Sequence, residues 1–252
     1  MIYINHNSAL EQLQNLVDIS FNKTQDHLPS SFILQQQQAL ELLKSRISLE
    51  EIIDESITFN RGLHWEETNP HVKLVNTAEE LVKIFQLRSQ VYTNSGFHHQ
   101  YPDAIEGLNF DKFDKNSAIM YFQENDEISG TVRFIFDSNN KLPVEDMYSF
   151  GNIRQKYHTF GELSRFVIKN NHKGLSLEFK YLTQSIYHLF ISNDIEVTIV
   201  AILKEHYKLY SKFGGYKIFE ELSSNGEIDI PFLIMSWNPN LASNFFKRTF
   251  LR

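Results

Sequence analysis

The chain of 252 residues contains no cysteine. Disulfides, thiolate nucleophiles and thiolate-held metals are thereby excluded, and no other metal-ligand pattern stands in the sequence. Long apolar runs are also missing: none reaches the roughly 18 residues that a membrane-spanning helix needs. Met1 to Glu11 shows neither the basic start nor the apolar stretch of a secretory signal. The cytoplasm is the expected compartment. Nor is there a basic excess. The formal charge is −7, with 3 Lys/Arg against 8 Asp/Glu in residues 1–60 and 21 against 23 in residues 61–252. Nonspecific nucleic-acid binding needs dense phosphate neutralisation, and no zinc-finger, helix-turn-helix or RNA-recognition pattern offsets the acidic balance. Nucleic acid is not an expected partner. What is present is core material: 42% of the residues are hydrophobic and 21 are phenylalanine. That supports one large domain, or one domain with an appendage.

Hydrophobic periodicity divides the chain near residue 60. Residues 1–60 read as a polar, helical N-terminal extension. Leu10, Leu13, Leu16, Val17 and Ile19 fall near helical spacing over residues 8–20, and Pro29 breaks the pattern. A second helix is expected over 32–45 and a third over 49–56, with Ser48 as its N-cap and Glu51 three residues on. Residues 61–252 alternate strands with helices. Thr77-Ala78-Glu79-Glu80 has the form of a capping box opening a helix that carries Leu81, Ile84, Phe85, Arg88 and Val91. A polar loop follows over 94–116. Strands are expected over 118–123 and 128–136, joined at Asn125-Asp126, then around Glu162 and over 195–201, 216–220 and 230–237. Helices are expected over 175–191 and 204–213. This interleaving predicts a mixed α/β sheet rather than a bundle.

The run Gly161-Glu162-Leu163-Ser164-Arg165-Phe166-Val167-Ile168 puts an acid and a base three residues apart inside an apolar, strand-like segment. A carboxylate there must be hydrogen-bonded, paired or functional, because an unpartnered buried charge costs several kcal/mol. Strict strand alternation sends Glu162 and Arg165 to opposite faces. They converge only if the strand bulges or splays.

Two further stretches resemble the GNAT acyltransferases. Ile168-Lys169-Asn170-Asn171-His172-Lys173-Gly174-Leu175-Ser176, between a strand and a helix, is similar to their pyrophosphate loop. Bare N–H groups and the positive end of a helix suit an anionic phosphopantetheine or coenzyme A tail. The resemblance implies that role for Lys169, Asn171, Lys173, Gly174 and Ser176. Asn171 and Ser176 depart from the GNAT pattern, as suits a chain that receives its acyl group from a carrier protein; an ordinary strand-to-helix loop is the other reading. Tyr207 to Tyr216 resembles the GNAT signature in which a helical tyrosine, here Tyr210, protonates the departing thiolate. Packing is that tyrosine's other reading. Gly214-Gly215 suits a helix C-terminus needing positive φ.

Over residues 87–168 the ordered series Arg88, Tyr92, Phe97, Glu106, Asp111, Asp114, Gly130-Thr131-Val132-Arg133, Leu142-Pro143-Val144-Glu145 and Glu162-Leu163-Ser164-Arg165 resembles the acyl-homoserine lactone synthases. Phe97 stands where those enzymes usually carry tryptophan. That brings the chain closer to the long-chain N-acyl amino acid synthases and exosortase-associated acyltransferases. The resemblance implies a GNAT-like mixed central sheet flanked by helices, and transfer of a fatty acyl group from acyl carrier protein or acyl-CoA to an amino acid or small amine, with no tightly bound cofactor. Amide formation needs a neutral amine, hence a base, and Glu162 is the candidate. The tetrahedral oxyanion needs donors, for which the backbone of Phe166 or Val167 is suited. Arg165 stands beside the base. Arg88, Asp111, Asp114 and Arg133, two bases and two acids, suit an ion-pair network ordering the loop over the acyl entrance, or a plain set of salt bridges.

Carrier proteins are acidic, so their partner should present a basic face. Arg165 to Lys217 holds eight bases against four acids. Lys204, Lys208 and Lys212 recur every four residues and would form one helical stripe, either a docking surface or a solvated face. The basic, aromatic tail Asn244-Phe245-Phe246-Lys247-Arg248-Thr249-Phe250-Leu251-Arg252 suits packing on the protein, or peripheral contact with an anionic inner membrane surface. An acetyl-CoA-dependent N-acetyltransferase and a non-catalytic acyl-carrier or lipid-binding module of the same fold are the other readings of the whole.

Overall fold

The computed structural model describes residues 30–138, 141–169, 175–224 and 230–252; the helix expected over 8–20 lies outside them. One helix, α1 (Ser30–Arg61), replaces the two expected over 32–45 and 49–56. Ser48 is an interior residue of α1 rather than an N-cap. No proline or glycine stands between Phe32 and Arg61 to stop the helix, and one mid-helix serine costs only a few tenths of a kcal/mol. The chain falls into two units, Met1–Ile52 and Ile53–Arg252. Within the second, buried Asn60 closes α1 against the sheet. Its Nδ2 donates to Ser56 O at 2.7 Å and Ser117 O at 2.9 Å, and its Oδ1 accepts from Ile119 N at 3.0 Å.

The sheet follows: β1 (Val72–Leu74), α2 (Ala78–Asn94), β2 (Ser117–Glu124), β3 (Glu127–Phe136), α3 (Gly151–Lys156), β4 (Phe160–Ile168), α4 (Leu177–Ser192), β5 (Val197–Leu203), α5 (Tyr207–Tyr210), β6 (Tyr216–Leu222), β7 (Phe232–Trp237) and α6 (Asn244–Phe250). Seven strands lie in the order β1-β2-β3-β4-β5-β7-β6, antiparallel except for β4 against β5. Thr77 and Glu80 form the expected capping box at the start of α2. Asn125 and Asp126, at φ 49° and 63°, turn β2 into β3, the left-handed pair that a two-residue hairpin demands. Sequence reasoning missed the short β1, and α3 with the 3-10 turn Pro143–Asp146 before it.

On one face of the sheet, Val132, Phe134, Phe190, Trp237, Phe246 and Phe250 are buried with Leu182, Ile186 and Leu189 of α4. The tail is thus part of the core: Ser243 caps α6, and Phe246 and Phe250 are wholly buried while Phe245 is exposed. On the other face, Ile135, Val197, Ile199 and Ile234 meet Leu142, Val144, Phe150 and Ile153. Beside them α2 packs on β3 and β4, burying Leu81, Ile84 and Phe85.

Residues 204–213 are not one helix. A 3-10 turn (Lys204–His206), the single turn α5 and another 3-10 turn (Ser211–Phe213) follow in succession. A 3-10 turn advances about 120° per residue instead of about 100°, so the four-residue spacing of Lys204, Lys208 and Lys212 does not make a regular stripe. Gly214 and Gly215 do take positive φ, 73° and 78°. A Cβ on Gly215 would lie 2.4 Å from Asn238 O, so the turn tolerates no side chain there.

Candidate functional site

Strand β4 pairs with β5 from Phe160↔Val197 to Leu163↔Val200 and no further. Beyond that point the two parallel strands part, while β4 runs on to Ile168 and β5 to Leu203. Arg165 sits in the gap at φ 52°, and the β3–β4 register shifts between Thr131 and Arg133. This is the bulge that alternation required, and it lets Glu162 and Arg165 serve one cluster. Just before it, Gly161 lets β4 press on β3: a Cβ there would lie 2.1 Å from Ile135 O.

The cluster draws on four elements. From α2, Arg88 Nη1 lies 2.8 Å from Asp114 Oδ1, both side chains wholly buried. From β3, Arg133 Nη1 reaches Asp111 Oδ1 at 2.6 Å and Asp114 Oδ1 at 3.1 Å. From β4, Arg165 Nη2 reaches Asp111 Oδ2 at 3.0 Å. The two aspartates are fixed by the 3-10 turn Lys112–Asn116, which Asp111 caps. Asp111 Oδ1 accepts from Phe113 N and Asp114 Oδ2 from Asp111 N, each at 2.9 Å. Burial raises the pKa of Asp111, but Arg133 and Arg165 outweigh it and hold the carboxyl below its ordinary range. Burial, with the like charges of Arg133 and Arg165, lowers the pKa of Arg88 despite Asp114. Three arginines thus face two aspartates.

Glu162 is the third acid of the cluster and differs from the other two. It is 6% exposed, and its Oε2 accepts from Val144 N at 2.9 Å. Burial pushes its pKa up to about 7, against the opposite pull of the Val144 amide, Arg133 and Arg165. A carboxyl poised there exchanges protons readily near neutrality. It stands at the end of the β4–β5 pairing, opposite Ile199.

Tyr92 and Tyr101 complete the cluster. The guanidinium of Arg165 lies 5.3 Å and 4.5 Å from their ring centroids, and the rings lie 5.0 Å apart. Asn109 holds the loop that carries Tyr101, donating to Tyr101 O at 2.8 Å and Pro102 O at 3.2 Å. Asp103 braces the loop by accepting from Ser89 Oγ at 2.7 Å and Gly107 N at 2.9 Å. Phe97 is half-buried in the same loop, its N–H donating to Tyr92 O at 2.8 Å. Sequence reasoning missed Tyr101, and gave no role to Ser164 and Val144 although both stand in the series over residues 87–168. Tyr101 lies in an irregular segment without periodicity, and Val144 acts through its backbone. Ser164, whose Oγ accepts from Arg133 Nε at 3.1 Å, was legible from alternation, being two residues beyond Glu162.

Tyr210 is not in this cluster. It packs with Leu163, Val200 and Tyr216 on the opposite face of the sheet. Phe166 leads toward it through Phe179, with ring centroids 5.3 Å and then 6.3 Å apart. Burial pushes the Tyr210 hydroxyl up to about 12, so it keeps its proton at neutral pH. Val167 is buried and pairs with Thr131. Asn171, Lys173 and Gly174 lie outside the described residues. Lys169 is paired with Glu127, and Ser176 caps α4 by accepting from Phe179 N at 3.2 Å. Lys204, Lys208 and Lys212 are all exposed, but Lys204 pairs with Glu221. Among the described residues no acidic or histidine cluster could hold a metal ion, and no helix is long and apolar enough to cross a membrane.

A mixed sheet opened between two parallel central strands, with a titratable carboxyl at the opening, defines a GNAT-like acyltransferase fold. The comparisons narrow it. The FeeM family of N-acyl amino acid synthases matches residues 83–238. The chain belongs to this family and is an N-acyltransferase. Among solved structures it resembles FeeM, an N-acyl amino acid synthase from uncultured soil microbes, at 16% identity and a TM-score of 0.57, covering 71% of this chain and 94% of that one. It also resembles the AHL synthase LasI, at 18% identity and a TM-score of 0.51 over 68% and 92%. A third likeness is BjaI, a CoA-dependent acyl-homoserine lactone synthase, at 11% and 0.52 over 64% and 77%. No curated protein matches by sequence.

Proposed function

We propose that the chain joins a fatty acyl group, delivered as a thioester on acyl carrier protein, to the amine of an amino acid or related small amine. The observation that carries this reading is Glu162: a buried carboxyl with a pKa near 7 where β4 and β5 part. An acceptor arriving as an ammonium must lose a proton before it can attack. Glu162 takes that proton, directly or through one water, and near neutrality both of its forms are populated. The amine nitrogen then bonds to the thioester carbon. The resulting oxyanion is met by the N–H of Phe166 or Val167, on the stretch of β4 beyond the bulge. As the intermediate collapses the C–S bond breaks, Tyr210, still protonated, gives its proton to the leaving sulfur, and the second proton shed by the nitrogen restores the Tyr210 hydroxyl. The products are an amide and a free thiol, and Glu162 returns its proton to solvent. Arg165, anchored on Asp111 and the two tyrosine rings, frames the base without taking a proton.

Support for the donor is electrostatic. Lys208 and Lys212, on the segment that carries Tyr210, are exposed and suit an acidic carrier protein, while the start of α4 at Ser176 suits the phosphopantetheine phosphate. Lys204, neutralised by Glu221, adds less.

The test is mass spectrometry after incubation with acyl carrier protein thioesters of several lengths, pooled amino acids and S-adenosylmethionine, with acetyl-CoA and long-chain acyl-CoA in parallel. A new N-acyl product from the carrier-bound donor, lost in Glu162→Gln, is the expected result. Turnover from acetyl-CoA alone, or undiminished turnover by Glu162→Gln, overturns the reading.

A further inference from the structure

Among the described residues, Val144 N–H is the one donor that the fold, rather than a charged side chain, aims at Glu162. It belongs to the first turn of Pro143–Asp146, where backbone N–H groups have no partner within the turn; its carbonyl is already taken by Met147 N and Tyr148 N, at 3.1 Å and 3.0 Å. Beside the burial of Leu142 and Val144, a set of ionic contacts outside the arginine–aspartate cluster holds this turn in place. Glu145 Oε2 accepts from Leu142 N at 2.7 Å, and Glu145 Oε1 pairs with Arg154 Nη1. Arg154 Nη2 pairs in turn with Asp137, whose N–H donates to Phe160 O at 2.9 Å. The guanidinium rests 5.4 Å from the centroid of the Phe160 ring, at the start of the strand that carries Glu162. One arginine therefore clips α3, the turn and the end of β3 to the root of β4.

We propose that Arg154 is a positioning residue for the reaction, keeping the Val144 amide on Glu162 by clamping Glu145 and Asp137. The proposal rests on Glu162 being the base. The other groups facing Glu162 are Arg133 from β3, Arg165 from β4, Asp111 from the cap of the Lys112–Asn116 turn and Tyr101 from the loop, with apolar Ile199 on β5. Arg154 is paired with none of these, so its removal leaves their charges in place; it frees the amide and also bares the Glu145 and Asp137 carboxylates, whereas Glu145→Gln frees the amide without baring a carboxylate beside the turn. A hydrogen bond to the charged form favours that form; without it the proton stays on Glu162 to higher pH.

Carbon-13 NMR of glutamate-labelled protein follows the Glu162 carboxyl directly, with Glu162→Gln assigning its resonance. In Arg154→Ala the titration midpoint is expected to rise by about one unit, the equivalent of one charge-assisted hydrogen bond. The acid limb of the kcat/KM profile should rise with it, and Arg154→Lys should recover about half of the shift. Glu145→Gln, which breaks the clamp from its other end, should give the same displacement should Arg154→Ala fail to fold. An unmoved midpoint with uniformly lower activity means that Arg154 only stabilises the fold, and a midpoint that falls means that water entry outweighs the lost amide; either overturns the proposal. If the midpoint rises but Glu162→Gln stays active, the assignment of the base has failed while the clamp stands.

Discussion

Replacing Asp114 by asparagine should destabilise the protein by about 3–5 kcal/mol. The side chain is wholly buried, and its Oδ1 lies 2.8 Å from Arg88 and 3.1 Å from Arg133. Asparagine keeps the shape and one acceptor oxygen but removes the charge. Arg133 would retain Asp111 at 2.6 Å. Arg88 would keep no carboxylate among the described residues, and its Nε and Nη2 already lack hydrogen-bond partners there. With charge centres about 4 Å apart and an effective dielectric near 20, each attraction is worth about 4 kcal/mol. The variant is spared the burial of one carboxylate, which costs several kcal/mol, so the net loss stays below the sum of the two attractions. Urea unfolding measures it. At a slope of about 2 kcal/mol/M the midpoint should fall by about 1.5–2.5 M with the slope unchanged. Adding Arg88→Met should recover part of the loss, because the orphaned cation goes with it. A loss below about 1 kcal/mol would refute the reasoning, since it would mean that water reaches Arg88.

Three further outcomes are expected. Glu162 holds its proton up to about pH 7 when folded, against an ordinary 4.5, so its contribution to stability is full below 4.5 and is lost as pH rises through 7. The stability difference between wild type and Glu162→Gln should therefore change by about 3 kcal/mol between pH 4.5 and 7.5, measured by urea unfolding; a flat difference would refute the buried carboxyl. Gly161→Ala forces a Cβ to 2.1 Å from Ile135 O and 2.7 Å from the Phe134 ring. It should cost about 3 kcal/mol or more and lower activity by shifting β4, whereas a wild-type melting temperature would show that the strands yield freely. Phe246→Ala should cost about 3–5 kcal/mol in the same unfolding assay because the ring is wholly buried; a loss under 1 kcal/mol would show that the tail is not part of the core.

The cluster was legible because its members are charged residues in an otherwise apolar setting. Glu162 and Arg165 stood out on that ground alone, and the need for a bulge between them followed from strand geometry before Arg165 was seen at positive φ. Thr77-Ala78-Glu79-Glu80 and Asn125-Asp126 were equally readable, since caps and tight turns depend on neighbours in sequence. The misreadings have a common physical cause. Ser48 carries a cap-forming side chain, but the residues around it favour continuing the helix. The lysines at 204, 208 and 212 keep a four-residue spacing, but the backbone beneath them alternates between 3-10 and α geometry. Tyr101 and the Val144 amide act across long sequence separations, through a ring face and a main-chain proton, and neither leaves a pattern in one dimension.

The arginine–aspartate cluster also bears on how such an enzyme can diverge. Each of its charges answers another on a different element, from α2 through the Lys112–Asn116 turn to β3 and β4. Loss of Asp114 strands Arg88 and loss of Asp111 strands Arg165, so neither aspartate can drift alone, and a compensating change would have to arrive with it. The loop around Phe97 and Tyr101 is freer to change: its backbone is braced by Asp103 and Asn109, and several of its side chains are exposed. The cluster is locked by electrostatics, while the loop remains the ground on which selection can act.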